Sequence, residues 1–173
     1  MPTSSAETPE ESCVSCLKAK KGLKNTSRCG ICQQMSCKDC TQFLDADAFS
    51  FLAQVSEDLQ HRTYCRACYD EKVAPELAIY AQAMERAAQI FVFYKKHEYL
   101  QVIRRSKKII SVRDCKDKRD VLLRLAFVAA QQSYNALVDV ELIPEKVQIS
   151  GYQTTNWTGT GFPADVRPEK ERQ

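Results

Sequence analysis

Glycine and histidine are scarce in this 173-residue sequence, with five and two respectively, and a long apolar run is missing altogether. So few glycines leave no phosphate-cradling loop, and neither a Gly-x-Ser-x-Gly elbow nor a His-Glu-x-x-His pair occurs. His61 and His97 stand alone, without a second histidine or an acid/base pair, and read as ordinary polar side chains. These absences remove the common hydrolase and nucleotide-dependent classes, and the sequence predicts no enzyme. No stretch approaches the roughly 18 apolar residues of a membrane span. The polar, acidic start, Met1 to Ser12, lacks the basic-then-apolar order of a secretion signal. An excess of one charge is missing as well: 25 basic and 22 acidic residues leave +3, too little to imply nucleic acid. The expectation is a cytoplasmic protein for which nucleic acid is a disfavoured partner.

Cysteine, by contrast, is abundant. Eight of the nine cysteines form four Cys-x2-Cys pairs, Cys13/Cys16, Cys29/Cys32, Cys37/Cys40 and Cys65/Cys68, with spacers of 12, 4 and 24 residues. Two thiolates separated by two residues can face one ion from a tight turn, and two such pairs complete a tetrahedral shell, so eight thiolates suffice for two structural Zn²⁺ ions. A shell filled by sulfur leaves no open position for an activated water, which argues against a zinc hydrolase. A redox or disulfide framework needs an oxidising compartment and does not call for four identical spacings. An iron–sulfur cluster is the minor competitor, but ferredoxin spacings are absent. Cys115, in Asp114-Cys-Lys-Asp-Lys118, has no partner and reads as an unremarkable thiol.

The spacing, the run Arg28-Cys-Gly-Ile-Cys-Gln-Gln-Met-Ser-Cys-Lys-Asp-Cys40 and the ending Tyr64-Cys-Arg-Ala-Cys-Tyr69 resemble the FYVE-type zinc finger over about residues 13–70. The resemblance implies interleaved ligands, Cys13, Cys16, Cys37 and Cys40 on one ion and Cys29, Cys32, Cys65 and Cys68 on the other. Spacing alone also allows sequential pairing. Lipid-binding members carry a basic stretch before the second pair and an upstream Trp-x-x-Asp. Here the equivalent stretch is Asn25-Thr-Ser-Arg-Cys-Gly30, which keeps only Arg28, and no Trp precedes Cys13. A 3-phosphate would lose most of its charge-assisted hydrogen bonds. What survives is similar to FYVE-related fingers of Rab-effector type, which implies a protein-interaction platform.

The reading is therefore a non-enzymatic zinc-finger adaptor with a protein partner. Its alternative is a peripheral membrane module that meets anionic lipid through Lys18, Lys20, Lys21, Lys24 and Arg28 of the 17–28 loop. A RING-like ubiquitin ligase ranks lower, because the ligand histidine and shorter third spacer of that finger are missing.

The organisation expected is α+β: a disordered tail over 1–12, a cross-brace double-zinc finger with four cysteines on each ion over 13–72, a linking helix over 75–95, a small domain over 97–166 and a tail over 167–173. Leu44, Ala48, Phe51, Leu52, Val55 and Leu59 share a helical face, which predicts a helix inserted in the finger over about 45–60. In the C-terminal domain a helix starts near Asp114 and ends near Tyr134. Two antiparallel strands follow, turning at Pro144-Glu145-Lys146. The segment 121–166, with Tyr134-Asn-Ala-Leu-Val-Asp-Val-Glu141 and Trp157-Thr-Gly-Thr-Gly161, resembles the YbjQ-like bacterial domain, which implies a small α+β sheet able to self-associate.

Overall fold

The computed structural model describes residues 12–17, 26–94, 100–149 and 151–167. The chain divides into two compact units, Met1–Tyr80 and Ala81–Gln173. Apart from Ser12 and Arg167, the two tails lie outside the described residues. Helix and strand are mixed throughout, and among the described residues no helix is long and apolar enough to cross a membrane.

The first unit is built from very short pieces. Strands β1 (Thr26–Arg28) and β2 (Met35–Cys37) form one antiparallel ladder, and β3 (Thr41–Phe43) and β4 (Thr63–Cys65) form another. From β4 the chain turns directly into α1 (Arg66–Cys68), widens into a π-helical stretch at Tyr69–Val73, and continues as α2 (Ala74–Ala87). The apolar core gathers around Tyr64, which is fully buried with Leu44, Phe49, Leu59 and Val73 about it. Its hydroxyl escapes the cost of burial by donating to the His61 carbonyl at 2.9 Å. Phe49 meets Tyr80 edge-on, with ring centroids 5.4 Å apart.

The helix expected over 45–60 is not formed. Residues 46–51 make successive turns, and the only helical piece there is a 3₁₀ turn at Glu57–Leu59. The pairing of Phe43 with Thr63 explains this, because it holds the two ends of the connection side by side. A helix of roughly 16 residues would carry the chain about 24 Å away and leave no length for the return. Most of the apolar stripe is used nonetheless: Leu44 and Leu59 turn inward onto Tyr64, with Ala48, Leu52 and Val55 half-buried against them, and the aromatic ring buried among them is that of Phe49, which the stripe left out, rather than Phe51.

The linking helix also ends earlier than its periodicity suggests. α2 stops at Ala87, and Phe91–Tyr94 is strand β5. Phe-Val-Phe-Tyr is a run of strand-favouring residues, and the parallel pairing of Phe91 with Ala136 decides its state.

In the second unit β6 (Val102–Arg105), β7 (Ile110–Cys115), α3 (Lys118–Gln131), β8 (Ala136–Ile149) and β9 (Tyr152–Val166) follow β5. The sheet order is β5-β8-β9-β6, with β7 on the same side of β9 as β6 and further along it. α3 is capped by Asp117, whose carboxylate accepts the Asp120 N–H at 2.8 Å. Asp114, the cap expected from sequence, instead takes a φ of +55° at a bulge in β7. The inner side of α3 buries Val121, Leu125 and Ala129. It lies so close to β9 that a Cβ on Gly159 would run into the Val121 side chain. A second apolar cluster joins Ala136, Val138, Ala164 and Val166 with Phe93, Leu100 and Phe162.

The strand reversal falls later than expected. β8 runs through Pro144, paired there with Trp157, and the chain turns at Gly151, whose φ is +86°. Among the described residues no β5 residue pairs with β8 beyond Val140, so a missing N–H at Pro144 breaks no second ladder there. Asp139 occupies a bulge in β8 at φ +51° and holds Arg105 in a 2.7 Å ion pair.

Candidate metal centres

The eight paired cysteines gather into two sets, and within each set all four Sγ atoms lie within 4.8 Å of one another. One set is Cys13, Cys16, Cys37 and Cys40; the other is Cys29, Cys32, Cys65 and Cys68. The grouping is interleaved, and the two short ladders produce it. The hairpin of β1 and β2 carries Cys29 and Cys32 at its tip and delivers Cys37 at its base, where Thr26 pairs with Cys37. The ladder of β3 and β4 then sets Thr41, next to Cys40 of the first set, opposite Cys65 of the second.

Each set joins one knuckle to one helical turn. In the knuckles the residue after the second cysteine adopts a left-handed conformation, Leu17 at φ +56° and Gln33 at φ +59°. That residue returns its N–H to the carbonyl of the first cysteine, Leu17 to Cys13 at 2.9 Å and Gln33 to Cys29 at 3.0 Å. The other two pairs stand on a 3₁₀ turn, Lys38–Cys40, and on α1. Thr41 fixes the first of these by donating its hydroxyl to the Cys37 carbonyl at 2.9 Å. Neither Leu17 nor Gln33 is a glycine, so no turn residue in the sequence pointed to these two positions.

The sulfur spacing fits a single ion per set. Sγ atoms of Cys16 and Cys37 are 3.7 Å apart, and those of Cys32 and Cys65 are 3.8 Å apart. A tetrahedron with metal–sulfur bonds of about 2.3 Å has edges of about 3.8 Å. A disulfide needs about 2.05 Å, and all nine cysteines are free thiols here. A four-iron cluster, which places each thiolate on a different iron, spreads its sulfurs more widely than these sets allow.

The electrostatics point the same way. Burial pushes the Cys13 thiol up, but the Cys37 N–H, 3.3 Å from its sulfur, and the backbone of Cys16 and Ser15 outweigh it and hold the pKa at about 6. Cys29 is held at about 7 in the same way, burial being outweighed by the backbone of Cys65, Cys32 and Ile31. The last member of each set moves oppositely. Hydrogen bonding with the Cys37 side chain pushes Cys40 up to about 12. Burial and then the neighbouring cysteine side chains push Cys68 up strongly. Each set thus gives up a first proton readily and a last one only when a cation neutralises the accumulated charge, which is what a divalent ion supplies.

The remaining site candidates fall elsewhere. Lys18, Lys20, Lys21 and Lys24 lie outside the described residues. Arg28 is exposed on β1, with its guanidinium donating to the Gln33 carbonyl at 3.3 Å. Cys115 belongs to the second unit, buried, with its thiol donating to the Arg113 carbonyl at 3.5 Å and its pKa raised by burial. Comparison with family models, with curated proteins and with solved structures found no match to this chain.

Proposed function

We propose that residues 13–72 are a cross-brace double-zinc finger of FYVE-related kind, and that the chain is a non-enzymatic adaptor whose finger engages a protein partner. The observation that carries this reading is the pair of interleaved four-sulfur sets. Zinc suits them because it takes four thiolates tetrahedrally without redox chemistry, and four thiolates leave no position for substrate or water. Bound there, the two ions supply folding free energy rather than catalysis. Cys13, Cys16, Cys37 and Cys40 would hold the first ion, and Cys29, Cys32, Cys65 and Cys68 the second.

A protein partner is favoured over a phosphoinositide because Arg28 alone remains of the basic stretch, and its guanidinium is engaged by the Gln33 carbonyl. One isolated cation does not make the convergent set of donors that recognition of a phosphate position needs. Metal analysis of the purified chain tests the zinc assignment, with two zinc ions per chain expected. Affinity capture from a cell extract, comparing the zinc-loaded chain with a Cys29→Ser/Cys32→Ser variant, tests the adaptor role. A partner retained by the intact finger and lost with the variant supports it. Equal retention by both, or ubiquitin discharge by the intact chain, contradicts it.

A further inference from the structure

We propose that the second unit carries an anionic-membrane docking edge, formed by the arch between β6 and β7, at a place distinct from the finger and its 17–28 loop. Residues 104–119 hold eight basic and two acidic side chains, a local +6, while 81–173 as a whole has sixteen basic and eleven acidic, a net +5. The positive charge of this unit is therefore concentrated in one segment.

That segment forms one edge of the sheet. β6 pairs with Ala164, Asp165 and Val166 of β9, and β7 pairs with residues 157–161, so the intervening residues 106–109 arch away from the ladder. The arch is held from both sides. The Ser106 N–H donates to the Pro163 carbonyl at 2.8 Å, and the Ser106 hydroxyl bridges the Lys108 carbonyl and N–H at 3.0 and 3.1 Å. Its crown is Lys107 and Lys108, both exposed and without an acidic partner among the described residues.

A lysine-bearing bulge is also how an ordinary sheet edge avoids pairing with other chains. Exposed aliphatic side chains defeat that purpose, yet they frame this arch. Ile109 is 53% exposed, and Ile103, the extra residue of a bulge in β6, is 67% exposed. The two arginines at the start of the segment are already engaged, Arg104 with Asp165 at 2.8 Å and Arg105 with Asp139 at 2.7 Å. They brace the edge and leave the lysines to face outward. Arg113, Lys116 and Arg119 extend the exposed positive charge along the sequence past β7. Aliphatic side chains beside lysines match the interface of an anionic bilayer, which accepts the first among its acyl chains and attracts the second. Nucleic acid would gain nothing from exposed isoleucines and would be served by stacking rings, none of which stands on the arch.

The test is co-sedimentation of the full zinc-loaded chain with vesicles of phosphatidylcholine alone or with added phosphatidylserine. Binding to the anionic vesicles alone is expected, weakening as salt rises. Lys107→Gln/Lys108→Gln should weaken it roughly 30-fold, from about 1 kcal/mol per basic residue near the surface. Ile103→Ser/Ile109→Ser should weaken it without altering charge, a result that edge protection would not give. Circular dichroism and metal content verify that each variant folds. The proposal is overturned if Lys20→Gln/Lys21→Gln abolishes binding while the arch variants keep it. It is overturned equally if the chain ignores anionic vesicles but binds duplex or single-stranded oligonucleotides through the arch lysines. Sedimentation equilibrium closes the last route: an oligomer that Ile103→Ser/Ile109→Ser dissociates would make the arch a contact between copies.

Discussion

The two units of this chain are built from different materials. Among its described residues the first has four strands of three residues each and an apolar cluster around Tyr64, together with eight thiols in two close sets. The second has a 14-residue strand paired along its length with a 15-residue one, and a 14-residue helix whose apolar side lies on the sheet. Four thiols brought within 4.8 Å of one another are a poor arrangement for a chain left to its own contacts, since each added thiolate repels the rest. They become favourable once a divalent ion stands among them. Apolar burial needs no such help, and Val121, Leu125 and Phe127 of the second unit are fully buried. On the function proposed above, one region owes its fold to ligation and the other to packing.

The largest expected effect breaks the comparison open. Chelation should unfold the first unit and leave the second intact, because structural zinc contributes about 10–16 kcal/mol per site in small fingers. Hydrogen exchange read by mass spectrometry checks this, with protection lost at Tyr64 and Val73 and kept at Leu125 and Leu137. Leu125→Ala should do the reverse. A cost of about 2–5 kcal/mol is expected for the second unit's unfolding midpoint in urea, with metal content unchanged at two per chain.

Two glycines sharpen the contrast. Gly159→Ala places a methyl group against Val121, a buried side chain on a helix that is itself packed on the sheet, and should cost about 1–3 kcal/mol. Gly30→Ala drives a methyl group into the His61 Cβ as well as its ring; the Cβ moves only with the backbone, so thermal melting of the first unit should show a loss of similar size. Smallest of all, Asp117→Ala removes the cap of α3 and should cost about 1 kcal/mol in the second unit without touching metal affinity.

The cysteine pairs that could hold metal were legible in the sequence because Cys-x2-Cys is a local device whose meaning does not depend on the rest of the fold. Their interleaved grouping was not readable from spacing and came only with the FYVE-type resemblance, because it is decided by the register of β1 with β2 and of β3 with β4, three-residue ladders with no sequence signature. The stripe from Leu44 to Leu59 marked Leu44, Ala48, Leu52, Val55 and Leu59 but missed Phe49, and it misled about helix because closure of β3 on β4 is a tertiary constraint that periodicity does not register. α3 and the pairing of β8 with β9 were readable from period and composition. β6 was not, because Val-Ile-Arg-Arg on an edge shows neither alternation nor apolar bias, and the alternation of β7, Ile-Ser-Val-Arg, is too short to stand out. Pro144 read as a turn because a proline inside a strand is acceptable only at an open edge, and sequence does not say which edges are open.

Loading the chain with ¹¹³Cd and correlating each cadmium resonance with cysteine β-protons tests the interleaved, all-sulfur arrangement most directly. Two resonances in the four-sulfur range are expected, one coupled to Cys13, Cys16, Cys37 and Cys40, the other to Cys29, Cys32, Cys65 and Cys68, with none coupled to Cys115. A resonance that couples Cys13 and Cys16 to Cys29 and Cys32, or a single bound ion, would contradict the account.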